Sequence, residues 1–163
     1  MRSAQFADDF EAAQDKLIGL VESLTPEQWT LVGRNYPERF NDEDEGRTVG
    51  VIAHHVAESG PLIADRIELQ ARGETPPPVA DFTDGNARHA EAHADCTPEE
   101  VLRMLRESKP RIAAQVRAIP DDRLEYQVPS RVGPMTIAQR VERVLIGHVK
   151  MHHGSIEAAL KNP

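Results

Sequence analysis

His148 and His152 stand four residues apart in Ile146-Gly147-His148-Val149-Lys150-Met151-His152-His153-Gly154-Ser155-Ile156. On a helix that spacing stacks the two imidazoles on one face about one turn apart, near enough to hold a single metal ion. A third donor must come from another element. The best candidate is His55, in Val51-Ile52-Ala53-His54-His55-Val56-Ala57-Glu58, which falls on the apolar stripe of its own segment. A lone histidine on an apolar face is more often a hydrogen-bonded core residue than a ligand. Three core-facing imidazoles from two segments are harder to dismiss, because buried polar groups without partners destabilise the fold and one shared cation satisfies all three.

Three neutral imidazoles suit zinc, nickel, copper or iron, and three protein ligands on zinc leave one position for water or substrate, the catalytic rather than the structural arrangement. Coordination lowers the pKa of a bound water or thiol and can polarise a carbonyl. Glu58, one turn after His55, is the candidate catalytic residue, as an outer acceptor for an imidazole N–H or as a general base. The competing reading is an exposed helix carboxylate. His89, His93 and Cys96 form a rival set at i, i+4, i+7, but Asp84, Gly85, Asn86, Arg88, Glu91 and Asp95 around them offer no apolar shell. That segment is expected to be a solvent-facing helix. His54 and His153 adjoin expected ligands and point about 100° away from them, toward the surroundings of the site or the surface.

The chain has 163 residues, ordinary for one domain spanning 1–163 and enough to bury a core without disulfides. Apolar residues make up 39% and aromatics 4%, which favours packed helices over an aromatic-rich sheet. A net charge of −8 opposes a phosphate backbone, so no nucleic-acid partner is expected. Cys96 is the single cysteine, there is no basic-then-apolar leader, and no apolar run approaches the ~20 residues of a membrane span. A soluble protein of the cytoplasm, off the membrane, is the expectation.

The elements that must position the histidines can be followed along the chain. Phe6, Phe10, Ala13, Leu17, Leu20 and Leu24 mark a first amphipathic helix. Thr25-Pro26-Glu27-Gln28 reads as a cap, a first-turn proline and a capping-box glutamine, starting a short helix with the only tryptophan, Trp29. The acidic run Asp42-Glu43-Asp44-Glu45 reads as a solvated loop, or as a lid or a partner patch. A second long helix should run from Thr48 to about Arg72, kinked near Pro61. Pro76-Pro77-Pro78 forms a stiff linker, followed by a polar helix within Asp81–Asp95 that has little to bury. Thr97-Pro98-Glu99-Glu100 launches the third long helix, which Pro110 should kink or split, and Thr136 caps the fourth. Four long helices with one apolar face each imply an all-α four-helix bundle. The stretch of roughly 25 residues between helices two and three is long enough to cross it and let two neighbours run parallel.

The segments Ala53-His54-His55-Val56-Ala57-Glu58 and His148-Val149-Lys150-Met151-His152-His153-Gly154-Ser155-Ile156 resemble those of the DinB-like or YfiT-like metal-binding four-helix bundles of bacteria, relatives of mycothiol-dependent maleylpyruvate isomerases. The resemblance implies an up-down-down-up bundle, often dimeric, with zinc or nickel on His55, His148 and His152. It also implies transfer or isomerisation chemistry with a low-molecular-weight thiol. Ser155 stands where the family commonly has glutamine and His153 where it often has arginine, departures that bear on substrate contacts more than on the metal. The expected function is therefore a metal-dependent enzyme, a thiol-dependent transferase or isomerase or a hydrolase, acting on a small molecule. The alternative is a non-catalytic, stress-associated metal-binding or scaffold protein.

Overall fold

Threonines mark four of the helix starts in the sequence, and each is a working cap. In the computed structural model, which describes residues 1–33, 46–79 and 82–161, the side-chain oxygens of Thr25, Thr48, Thr97 and Thr136 accept from the backbone N–H three residues on, at 3.1–3.3 Å. Gln28 and Gln139 complete the box at two of them, accepting from the threonine N–H at 2.9 and 3.0 Å. These bonds satisfy donors that a helix start leaves unpaired. The elements that follow are α1 (Arg2–Ser23), α2 (Pro26–Trp29), α3 (Val49–Ala71), α4 (Phe82–Ala92) and α5 (Pro98–Arg117). The last helix comes in three parts: α6 (Ile137–Gln139), a π-helical segment (Arg140–Ile146) and α7 (Gly147–Lys161). Pro61 and Pro110 lie inside α3 and α5, and neither splits its helix. Each ring removes one hydrogen bond, and the apolar faces packed on both sides of it hold the helix together.

Cross-helix pairs give the directions. Along α1 and α5, Glu22 meets Arg106, Asp15 meets Lys109 at 2.6 Å, and Asp8 meets Arg117 at 2.7 Å, so the two run antiparallel. Exposed pairs of this kind stabilise little; their value here is the register they report. Along α3 and α5, Asp65 accepts from Arg111 and Gln115 at 2.5 and 2.8 Å, while His54 lies opposite Glu100, so these two are parallel. The final helix places His148 beside His55 and Arg140 near Arg66, antiparallel to α3. The result is the up-down-down-up bundle with its long crossover between the second and third long helices.

A parallel pair forces the connection to return the length of the bundle. It returns along α3: Arg66 Nη1 donates to the Pro77 carbonyl at 2.5 Å, and farther on His89 and His93 reach Glu58. The α4 segment therefore packs its histidines on α3, against the expectation of a solvent-facing helix. The core between the long helices holds Phe10, Leu17, Ile52, Ile67, Leu105, Ile112, Leu145 and Ile156, all buried; each such side chain contributes roughly 1.5–3 kcal/mol of transfer free energy. Between α5 and α6 the chain adds a 3-10 turn at Asp121–Glu125 and a two-residue antiparallel ladder, Gln127 with Thr136 and Val128 with Met135. The acidic run Asp42–Glu45 lies outside the described residues. Among those described, no helix is long and apolar enough to cross a membrane.

Trp29 ties three segments together. Its indole N–H donates to the Cys96 carbonyl at 3.0 Å, and its ring lies over Gly50 so closely that a Cβ there would sit 2.5 Å from it. Gly50→Ala is therefore expected to lose about 1–2 kcal/mol net, because the clash outweighs the ~1 kcal/mol of helix propensity that alanine adds. Gly19→Ala, at an exposed helical position with open space around it, is expected to gain about 0.5–1 kcal/mol. Urea unfolding of both variants against the parent checks the pair; a stabilised Gly50→Ala would contradict the packing.

Candidate metal centre

α3 and α7 bring His55, His148 and His152 together. The His55 ring centroid lies 5.1 Å from those of both His148 and His152, which are 4.6 Å from each other. His55 Nε2 and His148 Nε2 are 3.1 Å apart, and one nitrogen from each of the three rings lies within 4.8 Å of the others. The π segment just before α7 sets which way the two α7 histidines face. Its wider turn, closed by the Gly147 N–H donating to the Glu142 carbonyl, rotates everything after it relative to an uninterrupted α-helix.

Burial holds these imidazoles neutral. Desolvation, then the neighbouring His148, pushes the pKa of His55 down to about 2. Desolvation and the Arg47 charge lower His148 to about 4, and desolvation holds His152 well below the usual range. A neutral imidazole carries the free lone pair that a metal takes. His148 Nδ1 and His152 Nδ1 are buried without a hydrogen-bond partner, and such orphaned groups destabilise a fold unless something else satisfies the cluster. No carboxylate among the described residues lies within ion-pair distance of the three rings. The donor set fits a divalent transition ion held by three imidazoles.

The other sequence candidates gather elsewhere. His89 and His93 meet His54, not Cys96: His54 Nδ1 is 2.9 Å from His89 Nε2, and the His54 and His93 rings stack with centroids 3.9 Å apart. His54 is buried, so of the two expectations, the surroundings of the site or the surface, the second does not hold, and it takes a place in this second cluster. Glu58 is here too, its carboxylate oxygens 3.5 Å from His89 Nε2 and 3.7 Å from His93 Nε2, rather than beside His55. Cys96 is buried with its thiol pushed up to about 11 by desolvation, which leaves it un-ionised at neutral pH. His153 pairs with Glu157 one turn on, at 3.7 Å. The membership of His54 was missed because its signal, the His54/Glu58 pair at i, i+4, acquires meaning only when α4 is folded onto it.

The sequence profile of the DinB superfamily matches residues 9–156. Among solved structures, YfiT from Bacillus subtilis, described as a probable metal-dependent hydrolase with an unusual four-helix bundle topology, superposes with a TM-score of 0.75. The identity is 19%, over 98% of this chain and 86% of that one, a likeness of fold. No curated relative matches the sequence.

Because the folded pKa of the buried histidines lies below the ~6.5 of an unfolded chain, the unfolded state binds protons first as pH falls. Their contribution to stability is thus complete above about 6.5 and is lost as pH falls from there toward about 4, where His148 and His89 titrate when folded. Metal-free protein is expected to melt at progressively lower temperature between pH 7 and 5, with a shallower slope in His148→Gln. Melting temperatures that do not vary across that window would contradict neutral burial.

Proposed function

The chain belongs to the DinB superfamily, and from that membership and the histidine geometry of α3 and α7 we propose a metal-dependent enzyme acting on a small molecule. In this reading His55, His148 and His152 hold a zinc or nickel ion. The observation that carries it is the convergence of three neutral, inward-facing imidazoles with no described carboxylate beside them. Three protein donors leave remaining coordination to water or substrate, as catalytic sites do. A divalent ion bound there supplies Lewis acidity, lowering the pKa of a water or thiol and polarising a carbonyl.

The chain's own residues do the rest. α3 and α7 hold the donors on packed helices, so the site is rigid. The positive charge of Arg47 is felt by all three imidazoles and adds to burial in disfavouring their protonated forms. Hydrolysis and transfer or isomerisation with a low-molecular-weight thiol both draw on the same arrangement and differ in the nucleophile. The same reading has the protein in the cytoplasm as a homodimer.

His148→Ala and His152→Ala are each expected to lose one metal equivalent by elemental analysis. Turnover, assayed against ester and amide substrates and against electrophiles with added thiol, should fall more than about 100-fold. Metal content unchanged in both variants would overturn the site. A lower melting temperature in the variants, with no turnover by the parent on any substrate, would instead assign the ion a structural role, as in a non-catalytic metal-binding or scaffold protein.

A further inference from the structure

Helices α3 and α4 each turn an i, i+4 pair toward the other: His54 and Glu58 from α3, His89 and His93 from α4. We propose that these four side chains form a second divalent transition-metal site, zinc-like in its donor set, that fastens the crossover helix onto α3. A tetrahedral ion with donors at ~2.0–2.1 Å holds neighbouring donor atoms ~3.3 Å apart. His54 Nδ1 to His89 Nε2 at 2.9 Å, His89 Nε2 to Glu58 at 3.5 Å and His93 Nε2 to Glu58 at 3.7 Å bracket that distance.

The surroundings match a ligand role. The other nitrogen of His54, Nε2, faces the Glu100 carboxylate at 3.8 Å. An outer carboxylate in that place fixes the proton on Nε2 and leaves the Nδ1 lone pair aimed into the cluster. Desolvation lowers His54 and brings His89 to about 4, so both are uncharged donors at neutral pH. His89 is held through Nε2 alone: that nitrogen meets His54 and Glu58, while Nδ1 is buried without a hydrogen-bond partner. From Gly85 on, the α4 sequence, Gly85-Asn86-Ala87-Arg88-His89-Ala90-Glu91-Ala92, carries no large apolar side chain. Four protein donors complete a tetrahedral ion, the structural arrangement, whereas the neighbouring triad supplies three. His55 and His89, with ring centroids 5.5 Å apart, form the wall between the two.

The test is zinc loading of chelator-stripped protein, with zinc counted after dialysis and backbone amide exchange followed over residues 85–93. Circular dichroism verifies the fold of each variant. The parent is expected to hold two zinc ions per chain, one for each cluster, and zinc should slow exchange in α4. His89→Gln/His93→Asn should hold one and lose that protection. His148→Ala/His152→Ala should also hold one and keep it. Glu100→Gln, at a partly exposed position, should weaken the α4-protecting zinc roughly 10-fold. A second zinc retained by the α4 variant, or α4 exchange in the parent indifferent to zinc, would overturn the proposal. One zinc per chain, lost from the α4 variant and kept by the α7 variant, would uphold this site and remove the catalytic one.

Discussion

Successive residues of an α-helix project about 100° apart, so the adjacent His54 and His55 of α3 cannot face one neighbour. Much else in the structure follows from that constraint. His55 turns to α7 and meets His148 and His152; His54 turns to the crossover and meets His89 and His93. α3 is thereby the common wall of two imidazole clusters. It is held in place by Ile52, Val56 and Ile67 in the core and by the Trp29 indole lying on Gly50 near its start.

The second cluster exists because of topology. With α3 and α5 parallel, the chain leaving Ala71 must travel back before α5 can begin at Pro98. The prolines keep the first part of that return extended, and the Arg66 bond to the Pro77 carbonyl keeps it beside α3. A polar helix laid on such a path has few ways to bury anything. Among its described side chains the histidines are turned to α3, and Glu58, itself half exposed, faces two of them across the join.

Electrostatics distinguishes the clusters from ordinary surface histidines. Burial disfavours the charged imidazolium of His55, His148 and His152 in one cluster and of His54 and His89 in the other, so these rings stand close together without mutual repulsion. Among the described residues no carboxylate lies within ion-pair distance of the first cluster, whereas the second has carboxylates at its edge and behind it. Three donors suit an ion that must also take a ligand, and four suit an ion that only has to hold two helices together.

Local signals were legible and long-range ones were not. The threonine caps, the four amphipathic stripes and the i, i+4 spacing of His148 and His152 depend on neighbours within about one turn, so the sequence displays them directly. That His55 faces the interior, toward the α7 pair, was legible from the apolar stripe it shares with Ile52 and Val56. The role of α4 was misjudged because its flanking residues are polar, and polarity says nothing about which surface a long crossover will be laid against. By itself, then, the sequence determined the helices, their caps, their buried faces and the pair of histidines on α7. Only the tertiary structure decided that Glu58 serves the other cluster, that His54 replaces Cys96 beside His89 and His93, and that a π segment aims α7. These depend on the parallel packing of α3 and α5 and on backbone phase accumulated over whole helices, quantities that no short window of residues contains.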